Sequence, residues 1–183
     1  TLPFDNFEDP CPCLTKEQVE LCKGFDYGDK TLKLPCGPLP WLAGLSKPGF
    51  VPKTNLFHGR WITFGESREP WEQNCSWHVS INQIGDTCTE DASIGMHARI
   101  RRTWRSGHYF CEPLYWGGCR LRAWVLTEES CMTGFYWEMD SGRCFRIERR
   151  IFVRNGLMMM RQITEMNGAL SFIFHVKVSM DPG

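Results

Sequence analysis

Histidine, cysteine, arginine and tryptophan are the reactive or adhesive residues that stand out in this 183-residue chain. His58, His78, His97, His108 and His175 fall on separate segments, and none lies two or four residues from another. That spacing is the one at which a single strand or helix face holds a metal ion, so no local metal site is expected. There is no G-x-S-x-G elbow, no H-E-x-x-H pair and no glycine loop of the kind that cradles phosphate. The ten cysteines are even in number, which leaves no odd thiol to act as a nucleophile. The expectation is a chain that is not an enzyme, with no catalytic residue, no cofactor and no metal.

The cysteines are Cys11, Cys13, Cys22, Cys36, Cys75, Cys88, Cys111, Cys119, Cys131 and Cys144. Only Cys11 and Cys13 lie close enough to form half of a zinc site, and no second pair matches them. Five disulfides in an oxidising compartment are therefore expected. Asn74-Cys75-Ser76 is a glycosylation sequon and agrees with a secretory route, with Asn74 as a surface glycan site. No apolar run approaches the ~18 residues of a membrane span, and no basic start leads into an apolar stretch. The chain reads as a processed secreted protein or as the excised outer part of a cell-surface one.

Lys+Arg and Asp+Glu both count 21, so net charge gives no reason to expect a nucleic-acid partner. The distribution is uneven. Arg99 to Arg154 holds eleven arginines and no lysine against six acids. Arg99, Arg101, Arg102 and Arg105 are placed to line one strand rim, where guanidinium forks suit a sulfated polysaccharide such as a glycosaminoglycan, or a protein partner. The alternative is that they pair with acids of neighbouring strands. Eight tryptophans and the run Met158-Met159-Met160 either fill a core or line a cavity for an apolar ligand.

These residues need a frame, and the sequence period supplies it. Residues 1–56 carry eight of the eleven prolines, with one helix expected over about 14–22, and read as a disulfide-pinned wrap. From Phe57 onward the period is two. Trp77, Val79 and Ile81 alternate with Ser76, His78 and Ser80, and Leu121, Ala123 and Val125 alternate with Arg120, Arg122 and Trp124. Phe145, Ile147, Ile151 and Val153 lead into Asn155-Gly156, and Leu157 to Thr164 leads into Asn167-Gly168. Leu170, Phe172, Phe174, Val176, Val178 and Met180 then share a face. Asn-Gly takes the positive φ angles of a two-residue hairpin, so a three-stranded meander is predicted. Eight to ten short strands in a chain of this length predict a single all-β domain. It is an antiparallel lipocalin-like barrel or a sandwich, the barrel preferred because closure removes exposed edges.

Two stretches resemble known families. Cys88, Gly95, Ala98-Arg99-Ile100, Cys111, Gly117-Gly118-Cys119-Arg120 and Cys131-Met132 resemble a Kunitz protease-inhibitor domain. Met96-His97 and Phe135 stand where that family has cysteines. A longer set is similar to the adenomatosis polyposis coli down-regulated family of extracellular Wnt antagonists. It comprises Thr31-Leu32-Lys33-Leu34-Pro35, His58-Gly59-Arg60-Trp61, Thr103-Trp104, Gly107-His108-Tyr109, and Phe172 to Val178 with Met180-Asp181. That resemblance implies a barrel with an apolar cavity for an acyl chain. The expectation is thus an extracellular, non-catalytic domain that binds an apolar ligand or a lipid-modified signalling protein. Trp61, Trp137, Met158, Met160, Phe172 and Phe174 are expected to line its cavity. An adhesion or receptor-recognition module, such as a viral or gamete surface domain, is the alternative, and a protease inhibitor the third.

Overall fold

Alternating side chains from Gly59 onward build ten strands among the described residues, and strands of this kind must cover one face to be stable. The computed structural model describes residues 50–65, 77–94, 98–113, 119–138, 143–166 and 169–183. The expected helix over 14–22, most of the proline-rich wrap and Asn74 lie outside these residues. In chain order the strands are β1 (Gly59–Gly65), β2 (Trp77–Ile84), β3 (Thr87–Ile94), β4 (Ala98–Arg105) and β5 (Tyr109–Pro113). They continue as β6 (Cys119–Glu128), β7 (Cys131–Glu138), β8 (Cys144–Arg154), β9 (Leu157–Met166) and β10 (Ala169–Ser179).

All ten form one antiparallel sheet in the order β4-β3-β2-β1-β10-β9-β8-β7-β6-β5. Chain neighbours pair throughout, with one exception, and β1 pairs with β10 to bring the two ends of the meander together. The exception is β4 and β5, which form the two edges of the sheet although only Ser106 to His108 separates them. The result is a nearly closed barrel rather than a sandwich. Its seam is stitched at one end. Gly107 N–H donates to the Trp124 carbonyl at 3.0 Å, and the Leu126 N–H donates to Ser106 Oγ at 2.8 Å.

The Asn155-Gly156 hairpin forms as the sequence predicts, joining β8 to β9 with φ of 50° and 77° at the two residues. Residues 50–58 close the barrel end from which β1 starts. Phe57 is fully buried there; its N–H donates to Gln83 Oε1 at 3.0 Å and its carbonyl accepts from Trp61 Nε1 at 3.0 Å. Lys177 Nζ donates to the carbonyls of Leu56 and His58, each at 2.8 Å, and lies over the Trp61 ring. Burial lowers the Lys177 pKa from its ordinary value.

The apolar residues separate onto two faces. Phe57, Trp61, Ile81, Trp104, Trp124 and Met160 belong to one buried cluster, the barrel interior. Met159, Ile163, Phe172, Phe174 and Val176 form a second on the opposite face of β9 and β10. On β7, Gly134 is required by close approach: a methyl group there would overlap the fully buried Trp124 ring. Gly134→Ala should therefore destabilise the fold by about 1–3 kcal/mol, read as an earlier midpoint in urea unfolding. An unchanged midpoint would show that the indole has room to move.

The expected disulfide framework needs correction where thiols are described. Cys88 and Cys131 are both free and buried. Burial raises the pKa of each, so neither thiol is poised to ionise. Those two sulfurs behave as small core hydrophobes. Cys111, Cys119 and Cys144 lie on β5, β6 and β8 with only their backbone positions described. Cys11, Cys13, Cys22, Cys36 and Cys75 lie outside the described residues.

Candidate functional site: a buried charge cluster inside the barrel

Inward positions on five strands bring polar groups into the aromatic interior. On β3, Cys88, Glu90 and Ala92 share the inner face, and Glu90 is fully buried. Arg149 reaches it from β8 and pairs through Nη1 with Glu90 Oε1. Arg102 of β4 adds a second cation, Nη1 at 3.6 Å from Glu90 Oε2. Arg149 Nε also donates to Gln162 Oε1 of β9 at 2.9 Å. Burial opposes ionisation of Glu90, but Arg149, Arg102 and Arg122 together outweigh it and hold the carboxyl below its usual range.

Aromatic faces carry the arginines. The Arg149 guanidinium lies 4.5 Å from the centroid of the Trp124 ring, and Arg122 lies 5.3 Å from the same ring and 4.8 Å from Tyr136. Arg120 stacks on Tyr136 at 4.7 Å. Trp104 of β4 approaches Trp124 of β6 with centroids 6.1 Å apart, spanning the seam. A guanidinium is planar and weakly hydrated, so such stacking lets it leave water at lower cost than an ammonium would incur. The cluster is a ladder of cations and rings that ends on one carboxylate.

His175 of β10 shares this interior. Its Nδ1 lies 3.0 Å from Thr63 Oγ1 on β1, and the residue is 3% exposed. Burial, reinforced by the charge of Arg149, pushes its pKa down to about 3, so the imidazole is neutral at physiological pH. Among the described residues no group of three or more His, Cys, Asp or Glu is arranged to hold a metal ion.

The structure distributes the residues singled out by sequence. Trp61 and Met160 are in the interior cluster, and Met158 packs against it. Met158 also lines an open hollow of about 460 Å³ beside Leu56, His58, Asn82, Ile84 and Lys177. Phe172 and Phe174 belong to the opposite face, so the six do not share one cavity. Trp137 stands on β7 opposite Leu121, with only its backbone described. Of the arginine group, Arg101 pairs with Asp91 at 2.6 Å and Arg105 with Asp86 at 3.2 Å, both on the neighbouring β-hairpin. Arg102 turns inward, and Arg99 is placed by backbone register opposite Ser93.

Glu90, Arg122, Arg149 and His175 were not singled out by spacing, because a period-two reading sends charged residues to solvent. One signal was present. Arg149 occupies the gap in the buried alternating series Phe145, Ile147, Ile151, so a cation was due to face the core.

Comparison with known proteins gives the site its context. The family described as the luciferase catalytic domain matches over residues 1–74 and 66–183. A dinoflagellate luciferase of Lingulodinium polyedra is 58% identical over 206 aligned positions, covering 100% of this chain and 17% of that protein. The crystal structure of a luciferase domain from Lingulodinium polyedrum superposes with a TM-score of 0.64 at 55% identity. It covers 100% of this chain and 59% of the other. A Schistosoma mansoni fatty acid binding protein in complex with arachidonic acid has a TM-score of 0.52 at 15% identity. It covers 68% of this chain and 98% of the other, and shows likeness of fold alone.

These matches overturn several sequence expectations. The resemblances to the adenomatosis polyposis coli down-regulated family and to Kunitz inhibitors came from short β-strand motifs and cysteine spacing, which recur without kinship. Cys88 and Cys131, needed as bridges in the second, are free. The non-enzymatic extracellular binder, with its signalling, lipid-binding and receptor-binding roles, gives way to a catalytic domain. The secreted or cell-surface location fails with it, having rested on five assumed disulfides and one sequon. The chain spans about a sixth of the curated relative and about three fifths of the solved domain. Matched over its whole length, the chain belongs to the family of luciferase catalytic domains.

Proposed function

We propose that this domain carries out a light-emitting oxidation of a luciferin, and that the substrate meets the protein at the cation and ring ladder inside the barrel. The observation that carries the reading is Glu90, fully buried among Arg149, Arg102 and Arg122 in an otherwise aromatic interior. Burying such a cluster is no route to stability in itself, since an apolar core of equal volume often does as well. Perturbed ionisable groups gathered in one interior point to a working site. The chemistry is consistent. A product that emits visible light carries an extended conjugated system, and the faces of Trp104, Trp124 and Tyr136 are suited to stack on one. An interior shielded from water strengthens every electrostatic contact with the reacting centre.

The test is direct. The purified 183-residue chain, mixed in air with luciferin isolated from Lingulodinium polyedra cells, should emit light. Arg122→Met, with Arg122 5% exposed beside Trp124 and Tyr136, should cut emission at least about tenfold while far-UV circular dichroism stays unchanged. A folded wild-type chain that stays dark across pH 5 to 9 would overturn the reading.

A further inference from the structure

Most histidines held inside a protein have both ring nitrogens satisfied, because an orphaned buried polar atom is costly. His175 satisfies one. Its Nδ1 is engaged by Thr63 Oγ1 at 3.0 Å, whereas Nε2 is buried with no hydrogen-bond partner among the described residues. The side chain sits on the inner face of β10, in register with Thr63 of β1 on one side and Met160 of β9 on the other. Met160 belongs to the interior cluster, which puts the ring on the inner face within reach of the Arg149 charge rather than on the outer face.

Two further donors in the same interior share this state. Trp104 Nε1 and Trp124 Nε1 are buried and lack hydrogen-bond partners among the described residues. Three polar atoms on β4, β6 and β10 thus have no hydrogen-bond partner among the described residues. A leucine or phenylalanine at any of these positions would fill space without that penalty.

Resting on the proposed luciferase reading, we propose that His175 is a substrate-contacting residue whose Nε2 hydrogen-bonds the luciferin, with the ring held in place through Nδ1 by Thr63. The ring works as a neutral imidazole. Arg149 faces it as a cation and burial disfavours a second positive charge, so it supplies an oriented dipole and not an ion pair. With Glu90 compensating Arg149 nearby, the histidine adds a polar contact without adding charge to the site. Thr63 has the part of a positioning residue: it fixes which edge of the ring meets the substrate.

Amide variants separate the two nitrogens. The Asn side chain reproduces the Nδ1 position, and the Gln side chain reaches the Nε2 position. His175→Asn should lower kcat/KM for luciferin oxidation at least about tenfold, and His175→Gln should stay within about threefold of wild type. The pH profile of emission should be the same in wild type and His175→Gln, since the contact involves no titration. A second measurement is independent of turnover. With 15N-labelled imidazole in the full chain, the His175 Nε2 resonance should move when luciferin from Lingulodinium polyedra is added, and the Nδ1 resonance should hold. If the wild-type chain emits light but Nε2 does not move, or if His175→Asn is as active as wild type, this inference falls and the luciferase reading stands. If the folded wild-type chain neither binds nor oxidises luciferin, the two fall together.

Discussion

Arg149→Met should destabilise the domain by about 3–5 kcal/mol, the usual cost of leaving a buried carboxylate without its closest cation. For a chain of this size that corresponds to a melting temperature lower by about 10 °C. The reason lies in Glu90, which has no access to water and relies on Arg149 before Arg102 and Arg122. Removing the cation leaves the carboxyl to protonate or to draw in water, and either disrupts the packing of Trp124 beneath the guanidinium. The double variant Glu90→Leu with Arg149→Met should recover most of the loss, because it removes the charge that needed compensation. Thermal unfolding of both variants decides the matter. Equal melting temperatures for the single and double variants would show that the pair is not what makes the substitution costly.

Acid should weaken the fold well before ordinary carboxylates protonate. His175 has a folded pKa of about 3 against 6.5 for a free imidazole. Between those values the unfolded chain binds a proton that the folded chain refuses, so stability falls as pH drops from 6.5 towards 3. Above 6.5 the contribution is fully present. Glu90 acts in the same direction at lower pH: its stabilising share is present above about 4.5 and is lost as pH falls through its depressed folded value. One such proton gives a slope of at most about 1.4 kcal/mol per pH unit. Urea unfolding at stepped pH from 7 to 5 should show this slope, and His175→Gln should flatten it. An equally steep decline in the variant would place the acid sensitivity elsewhere.

Much of the fold could be read from residue order, because it depends on local rules. Asn155-Gly156 specifies its turn through the backbone angles those two residues tolerate, and the alternation on either side sets β8 and β9. The interior chemistry could not be read in the same way. Alternation says that two faces differ without saying which is inside. Phe172, Phe174 and Val176 form the more apolar face of β10, yet His175 and Lys177 point into the barrel, because the outer face is also buried. On β6 the apolar series Leu121, Ala123, Val125 does not join the interior cluster. Instead Arg122, Trp124 and Leu126 cover the core. Arg122 is tolerated there because Trp124 and Tyr136 present ring faces to it and Glu90 supplies the opposite charge, conditions that depend on two other stretches of chain. Pairings across strands far apart in sequence leave no periodic trace, which is why Glu90, Arg122 and Arg149 did not stand out in the sequence and Arg102 was grouped with an exposed rim.

Among the described residues no ladder joins β4 to β5, and that gap has a mechanical consequence. Every other junction in the wall is laced by backbone hydrogen bonds, so changing the girth anywhere else would break a ladder. Along β4 and β5 the wall behaves as a split ring. Widening it there would strain the Ser106 and Gly107 bonds to β6 and part Trp104 from Trp124, but would break no backbone ladder among the described residues. A change of girth at this gap therefore leaves every laced junction among the described residues intact.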